Sequence, residues 1–259
     1  MIVSPRVLDS GHHFPMRSHS PLDNVNIVLV DTKTPGNMGA VARCMMNGGL
    51  SNLVLVRPPT DRNGEARKLA AGAHRVLETA QTFSTLKDAV SDLALVIGTS
   101  RHQSRRRKNF QTPRVLAEKL MPYLSRNRVA IVFGNEVNGL ENDDIALCHE
   151  LMSIPSSNAF PSLNLSHAVM VVAYELFVAA QARLPSSDRI LALSGELENF
   201  YEHLQKSLQD VGFIDKVHPE HMMFSLKQLF GRARLDSRDV SILRGILSQM
   251  EKSSKNQKK

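Results

Sequence analysis

The chain has 259 residues, enough for one well-formed hydrophobic core and a small second domain, and no stretch is long and apolar enough to predict a membrane span. Its formal net charge of +7 favours a polyanionic partner, most simply nucleic acid, although many basic proteins bind none. The two cysteines, Cys44 and Cys148, are too few for a disulfide framework or a cysteine-rich zinc site, and we expect no metal requirement.

Residues 1–23 contain three prolines, three histidines and several serines without periodicity, which predicts a flexible leader. A metal ion held by His12, His13 and His19 is the less favoured alternative, because such polar segments are usually solvated. The leader has no apolar stretch of the kind found in signal peptides, so we expect a cytosolic protein.

The first regular elements form a strand, a loop, a helix and a second strand. Asn26–Val30 and Asn52–Arg57 are compact apolar runs that predict buried strands, and the apolar residues between them recur at helical spacing. Two strands joined through a helix indicate a parallel sheet. Arg43 lies one and two helical turns beyond Gly39 and Pro35, so it can lie near the loop. A solvated helix arginine is the alternative.

The next segment leads to the most basic loop of the chain. Residues 61–80 predict an amphipathic helix in one or two pieces, followed by a short strand and a helical turn. Leu93–Gly98 predicts a buried strand, after which Arg105, Arg106, Arg107 and Lys108 form the densest positive run. Because this run follows a core strand at the edge where α/β proteins bind ligands, we favour phosphate contact over a merely solvated loop.

Two further strands end in polar loops. After a helix that begins at Thr112-Pro113, the runs Val129–Phe133 and Leu151–Ile154 each stop in a loop rich in Gly, Asn, Ser and Pro. We expect a ligand site at these loops. The helix from Leu165 is apolar on nearly every face, which predicts cover on all sides, either by the core alone or partly by a second subunit.

The end of the chain is helical. Residues 194–210, 219–230 and 237–251 predict three amphipathic helices. We therefore divide the chain into a flexible leader, an α/β domain, a linker, a small all-α domain and a basic disordered tail. The proposed boundaries are 1–23, 24–184, 185–193, 194–251 and 252–259.

The chain lacks several common catalytic patterns: G-x-G-x-x-G after the first strand, a phosphate-binding P-loop, G-x-S-x-G and H-E-x-x-H. Three loop segments remain: PGNMGAVAR with Asn37 and Arg43, VFGNEVNGL with Gly134, Glu136 and Gly139, and IPSSNAFPSLNLSHAVMVVAYE with Ser162 and Asn164. Their order and spacing resemble the three motifs of the SpoU branch of the SPOUT RNA 2′-O-methyltransferases, over nearly all of residues 24–183. The helical end resembles the C-terminal domain of SpoU members that methylate tRNA nucleotide 32, in the anticodon loop.

This resemblance implies an α/β fold of the SPOUT type: a mostly parallel sheet flanked by helices, with a C-terminal trefoil knot, acting as a homodimer. It implies S-adenosyl-L-methionine as cofactor. The contacts it carries over are Thr99, Ser100, Arg101, Gly134, Ile154, Pro161, Ser162 and Leu163. Arg101 and Pro161 stand where relatives usually have small residues, so the resemblance extends there only to backbone contacts.

The same resemblance gives the motif arginine, Arg43, the catalytic role. Because arginine stays protonated in proteins, we expect Arg43 to hold a phosphate and stabilise the developing 2′-alkoxide rather than act as a base. We expect Asn37 to orient Arg43 or the ribose, and Asn164 to fix the third loop. Glu136 either holds its loop through backbone N–H groups or belongs to the site; we favour the structural role slightly.

The resulting prediction is a tRNA methyltransferase acting on the ribose of cytidine or uridine 32. We expect tRNA to contact Arg105, Arg106, Arg107 and Lys108, and Arg232, Arg234 and Arg238 in the helical domain. A SpoU-type enzyme acting on another tRNA or rRNA nucleotide is the nearer alternative. A catalytically idle RNA-binding protein is the more distant one.

Overall fold

The computed structural model describes residues 20–60, 64–100, 110–182, 186–215 and 218–257. Seven parallel strands form one sheet with the order β3-β2-β1-β6-β4-β7-β5. The strands are β1 (Val25–Val30), β2 (Asn52–Val56), β3 (Gln81–Phe83), β4 (Leu95–Thr99), β5 (Phe110–Gln111), β6 (Val129–Phe133) and β7 (Glu150–Met152). The predicted mostly parallel sheet is confirmed, and the two-residue strand β5 is an addition that its length hides in the sequence.

Helices cover both faces of this sheet and form the C-terminal part of the chain. They are α1 (Pro35–Asn47), α2 (Glu65–Ala70), α3 (His74–Glu78), α4 (Leu86–Val90), α5 (Pro113–Leu120), α6 (Asn142–Ala146), α7 (Leu165–Gln181), α8 (Ser194–Asp210), α9 (Glu220–Ala233) and α10 (Ser237–Gln257). The region predicted as one helix or two is divided between α2 and α3, because Ala71 and Gly72 have positive φ angles of 42° and 94°.

The central strands are apolar throughout because both faces of the sheet are covered. All six residues of β1 and all five of β6 are buried. One hydrophobic cluster lies under α1, α5 and α7, and the other lies under α4 and α6. Helices α1 and α7 also pack directly on each other: a Cβ on Gly48 would lie 2.7 Å from the Cβ of Ala173.

The three C-terminal helices share a hydrophobic cluster of their own, centred on Phe200, Tyr201 and Leu204. Helix α9 lies so close to the sheet that a Cβ on Gly231 would be 2.4 Å from the carbonyl oxygen of His149. The C-terminal helical region is therefore confirmed and docks on the segment that leads into β7. The exact domain boundaries and the trefoil knot stay predictions.

Contact between α9 and β7 also corrects the role expected of Arg234. Its guanidinium donates to Oε1 of Glu150 at 3.0 Å and to the carbonyl oxygen of Lys119 at 2.9 Å, and it lies 4.7 Å from the ring centroid of Tyr123. The side chain of Arg234 is only 11% exposed. A group held in this way joins the helical region to the sheet and is not presented to RNA.

Most of the leader (residues 1–19) and the last two residues of the chain lie outside the described part. The other residues predicted as a disordered tail, 252–257, belong to α10 instead. Within the part that is described, no helix is both long enough and apolar enough to cross a membrane.

Candidate functional site

A cavity of about 300 Å³ lies at the carboxyl ends of β4, β6 and β7. All seven described residues predicted to bind the cofactor line it: Thr99, Ser100, Gly134, Ile154, Pro161, Ser162 and Leu163. The eighth, Arg101, lies outside the described residues. Parallel strands place the loops at their carboxyl ends at one edge of the sheet, so three segments far apart in sequence form one cavity.

The cavity also has an apolar lining that the motifs did not indicate. This lining consists of Phe133, Leu140, Ile145, Met152, Leu165 and Ala168. In the sequence these residues are ordinary apolar positions of strands, helices and, for Leu140, a loop, and only their packing shows that they surround a cavity. An apolar slot edged by backbone polar groups suits a flat heteroaromatic ring.

The end of β4 is fixed by two hydrogen bonds. The hydroxyl of Thr99 donates to the carbonyl oxygen of Val132 at 2.9 Å. The N–H of Ser100 donates to the carbonyl oxygen of Met152, also at 2.9 Å. These bonds hold the β4 loop between its neighbours β6 and β7. The backbone at Thr99 and Ser100 is therefore rigidly presented to the cavity.

The loop after β6 is a closed turn that leaves no space for a side chain at Gly134. A Cβ there would lie 2.0 Å from the carbonyl carbon of Gly139 and 2.1 Å from the nitrogen of Leu140. Asn135 pairs with Gly139 in an antiparallel bridge, and its Oδ1 accepts the N–H groups of Val137 and Asn138. Gly139 has a φ of 76°, a conformation that glycine adopts without strain.

Side chains from all three loops are joined by hydrogen bonds. The carboxylate of Glu136 accepts the N–H groups of Lys33 and Thr34 at 3.0 and 3.2 Å, and the Nδ2 group of Asn37 at 2.7 Å. Asn37 Oδ1 in turn accepts from Asn164 Nδ2 at 3.2 Å. We call the chain of side chains Glu136–Asn37–Asn164 the motif relay. It fixes the three loops relative to one another.

The electrostatics of Glu136 agree with this bonding. Burial by itself raises the pKa of the Glu136 carboxyl, but the hydrogen bonds from Lys33, Asn37 and Thr34 outweigh burial, and the net pKa is lowered. Glu136 is therefore a stable carboxylate that orders the first loop. Its contacts include backbone N–H groups, as the structural role predicts, but those groups belong to the first loop and not to the loop of Glu136 itself.

Asn164 also begins α7. Its Oδ1 accepts both the N–H of Ser166 at 2.9 Å and the hydroxyl of Ser166 at 2.7 Å, which is a capping arrangement. Asn164 therefore caps α7 at the end of the third loop and also binds Asn37 at the first loop.

Arg43 lies on α1, the helix that begins in the first loop, and its side chain is exposed. It does not line the cavity, and within the part of the chain that the structure describes its side chain makes no hydrogen bond or ion pair. The Asn37 side chain binds Glu136 and Asn164 rather than Arg43. A cationic group on this helix is therefore available to a ligand that approaches from outside.

The predicted RNA contacts fall into three groups. Arg232 and Arg238 are exposed in the helical region, whereas Arg234 is held by Glu150 as described above. Arg105, Arg106, Arg107 and Lys108 lie outside the described residues. Among the residues with described positions, no cluster of three or more His, Cys, Asp or Glu could hold a metal ion.

Comparison with known proteins adds two family matches. The profile of the SpoU rRNA Methylase family matches residues 24–174, and that of the TrmJ C-terminal domain of tRNA methyltransferases matches residues 195–259.

Individual relatives match over most of the chain. The tRNA (cytidine/uridine/adenosine-2′-O-)-methyltransferase TrmJ of Pseudomonas aeruginosa is 39% identical over 244 residues, covering 89% of this chain and 95% of that protein. The tRNA (cytidine/uridine-2′-O-)-methyltransferase TrmJ of Salmonella typhimurium is 40% identical over 240 residues, covering 90% and 99%. The crystal structure of TrmJ from Z. mobilis superposes with a TM-score of 0.72 and 34% identity, covering 87% of this chain and 98% of that one.

Proposed function

The chain belongs to the SpoU rRNA methylase family, and from this membership we propose that it methylates the ribose 2′-hydroxyl of nucleotide 32, cytidine or uridine, in the tRNA anticodon loop. The observation that carries the proposal is the motif relay, which fixes three loops around one cavity and includes Asn37 of α1, the helix that also carries the exposed cation of Arg43. TrmJ relatives that act on tRNA, alignable over nine-tenths of this chain, support tRNA as the substrate. We propose that the protein acts in the cytosol.

S-adenosyl-L-methionine is the cofactor of this class of methyltransferase. The cavity suits it, because rigid backbone at Thr99, Ser100 and Gly134 faces an apolar slot large enough for an adenine ring. When bound, the cofactor supplies an electrophilic methyl group. We propose that Ile154, Pro161, Ser162 and Leu163 form the opposite wall.

The residues of this chain then have separate tasks. Arg43 binds the phosphate next to the target ribose and stabilises negative charge on the 2′-oxygen as its proton passes to a phosphate oxygen or to water. Asn37 sets the angle at which α1, and with it Arg43, leaves the first loop, because both of its polar atoms are bound. Holding the hydroxyl in line with the methyl group supplies much of the remaining acceleration.

We propose that the rest of the chain serves tRNA binding and dimerisation. Residues 24–184 form the methyltransferase domain and residues 194–251 a helical domain that contacts tRNA through Arg232 and Arg238. One face of α7 is buried on the sheet, whereas the opposite face exposes Val171, Tyr174, Phe177 and Val178. This apolar face is the proposed homodimer surface. Val178→Glu should shift the mass measured by light scattering from dimer to monomer, whereas an unchanged mass would exclude this face.

The proposed activity is tested with the purified protein, S-adenosyl-L-methionine and tRNA transcripts that carry cytidine or uridine at position 32. Mass spectrometry of ribonuclease fragments should locate one added methyl group on the ribose of nucleotide 32. Methylation at another nucleotide would favour the alternative function, a SpoU-type enzyme that acts on a different position. Absence of both methyl transfer and cofactor binding in calorimetry would favour an idle RNA-binding protein on the same fold.

A further inference from the structure

Arg57 joins the start of the first loop to α6. It follows β2, and its guanidinium donates to Oδ2 of Asp31 at 3.1 Å, just after β1, and to Oδ2 of Asp144 at 3.2 Å, in α6. Asp31 and Arg57 both have positive φ angles, 55° and 50°. Such angles are uncommon outside glycine, and here two of them occur side by side at the carboxyl edge of the sheet, where the surrounding contacts must hold them.

These contacts close a ring at the rim of the cavity. From Asp31 the first loop runs to Lys33 and Thr34, whose N–H groups bind Glu136. From Glu136 the second loop runs into α6, where Asp144 returns to Arg57. We call this closed circuit the Arg57 ring. It connects the first loop to the second at two places, through Glu136 and through Arg57.

Helix α6 is also part of the cavity wall. Asn142 and Ile145 line the cavity, and Asp144 lies between them in sequence. The helix has five residues and no side-chain cap at its N-terminus, so it has little stability of its own. Its position therefore depends on its tertiary contacts. One of these is the ion pair between Arg57 and Asp144.

The charges explain why arginine is needed in this ring. Both carboxylates bind the same nitrogen, Nη2 of Arg57, and the side chain of Asp144 is only 8% exposed. Without a cation between them, two like charges would face each other at the sheet edge, one of them in a poorly hydrated position. Burial raises the pKa of the Asp144 carboxyl, while Arg57 opposes that increase.

We propose that Arg57 is a positioning residue for the cofactor, because it holds α6 and its cavity-lining residues against the first loop by binding Asp31 and Asp144 together. This inference rests on the proposed function, since it takes S-adenosyl-L-methionine as the ligand of the cavity. Arg57 itself does not line the cavity, so its effect on binding passes through α6.

Calorimetric titration with S-adenosyl-L-methionine tests the proposal in the full-length protein. Arg57→Met should raise the Kd by about tenfold, because the two carboxylates then repel and α6 moves. The matched control is Arg128→Met, which removes an exposed arginine paired with Asp92 at the opposite, amino-terminal edge of the sheet. The control should bind the cofactor within twofold of the wild type.

A double variant distinguishes repulsion in the ring from a general loss of structure. Asp144→Asn keeps the shape of the side chain but removes one of the two charges, so Arg57→Met/Asp144→Asn should bind the cofactor at least threefold more tightly than Arg57→Met alone. If Arg57 only stabilised the fold, the second substitution would leave binding unchanged or weaken it further. Either of those results, or normal binding by Arg57→Met, would overturn the inference.

Two further measurements complete the test. If Arg57→Met does not fold, as judged by thermal unfolding, Arg57→Gln replaces it, because glutamine is neutral but retains hydrogen-bond donors; normal cofactor affinity of that variant would also overturn the proposal. A wild-type protein that binds no S-adenosyl-L-methionine would instead refute the proposed function. Normal wild-type binding that persists in Arg57→Met refutes the positioning role alone.

Discussion

The carboxylate of Glu136 and the side-chain amide of Asn37 are joined by a hydrogen bond of 2.7 Å, although 99 positions separate them in the chain. Asn37 is also bound to Asn164, so Asn37 is the central residue of the motif relay. The relay explains how three sequence motifs act as one site: each supplies a side chain that fixes another loop. Glu136 and Asn37 therefore matter through geometry as much as through any contact with a ligand.

Glu136→Gln should weaken cofactor binding while the protein remains folded. Glutamine is nearly isosteric, but it loses the charge that strengthens the hydrogen bonds from Lys33 and Thr34, at a cost of about 2 kcal/mol. Calorimetry should show a Kd raised roughly tenfold or more. Glu202→Gln, on the exposed surface of α8, is the matched control and should leave the Kd unchanged. Equal affinities for the two variants would contradict the role given to Glu136.

Arg43→Ala should lower the rate of methyl transfer by about two orders of magnitude and leave cofactor binding intact. Arg43 is exposed and does not line the cavity, so its loss removes stabilisation of the reacting oxygen but none of the cavity wall. Single-turnover methylation of tRNA measures the first effect, and calorimetry measures the second. Arg128→Ala serves as the control arginine. Near-normal turnover by Arg43→Ala would show that Arg43 is not a catalytic residue.

Gly134→Ala should abolish measurable cofactor binding. Its Cβ would overlap the backbone of Gly139 and Leu140, which cannot move without opening the loop after β6. Gly139→Ala should have a smaller effect, about 1 kcal/mol, since a Cβ there meets only open space but the φ of 76° is unfavourable for alanine. Gly245→Ala, in an open position on α10, should bind the cofactor normally and slightly stabilise the protein. The three variants are compared by calorimetry and thermal unfolding. An affinity of Gly134→Ala equal to that of Gly245→Ala would show that the loop tolerates the change.

His149 should make the stability of the fold depend on pH. It is 3% exposed, its Nδ1 accepts the N–H of Val96 at 3.1 Å, and burial together with the charge of Lys227 lowers its pKa to about 4. The unfolded chain binds a proton near pH 6.5, whereas the folded protein binds it only near pH 4. The free energy of unfolding should therefore fall between these values, by about 1 kcal/mol at pH 5.5 relative to pH 7.5.

Urea denaturation at the two pH values measures this change. In His149→Asn the uncharged amide can still accept the N–H of Val96, so the part of the pH dependence due to His149 should disappear. A fall in stability of the same size in His149→Asn would assign the effect to other groups.

Replacing Arg232 and Arg238 with alanine should weaken tRNA binding and reduce its dependence on salt. Each phosphate contact that is lost lowers the slope of log K against log salt by about one. Cofactor binding should not change. A double variant of Arg126 and Arg128, two exposed arginines at the amino edge of the sheet, is the control. Filter-binding titrations at several salt concentrations measure the slope, and identical slopes for the two double variants would exclude Arg232 and Arg238 as contacts.

Point substitutions are preferable here to removal of the helical region. Gly231 and Arg234 pack on His149 and Glu150, so a truncated chain would expose the buried carboxylate of Glu150 without its partner. Loss of this ion pair and of the packing around it would destabilise the fold, so a loss of tRNA contacts could not be distinguished from a loss of structure.

Several features of this fold could be predicted because they depend on local pattern. The runs at β1, β6 and α8 have strong periodicity or continuous apolar character, and their positions agree with the prediction to within a residue or so. The short elements with weak patterns were harder to predict. Strand β5 has two residues and, among the described strands, pairs with β7 alone, so its existence depends on a neighbour about forty residues away.

Arg234 shows why charge alone does not define a contact surface. In sequence it belongs to the same basic group as Arg232 and Arg238, because nothing local indicates a carboxylate at position 150 on the adjacent strand. Arg234 has the αL conformation at the end of α9, with a φ of 49°, and its guanidinium reaches Glu150 on β7. Helix geometry and docking, rather than composition, separate the three arginines.

Local pattern in the sequence was sufficient for the parallel sheet, because apolar periodicity predicts strands and helices. The order and spacing of the motifs carry the resemblance to SpoU methyltransferases, and that resemblance implied seven of the residues that line the cavity, but not its apolar lining. Which side chains meet in the motif relay, in the Arg57 ring and between Arg234 and Glu150 became known from the three-dimensional fold alone. The reason is physical, since each of these contacts joins residues at least 26 positions apart, and their distance depends on how the strands are ordered in the sheet.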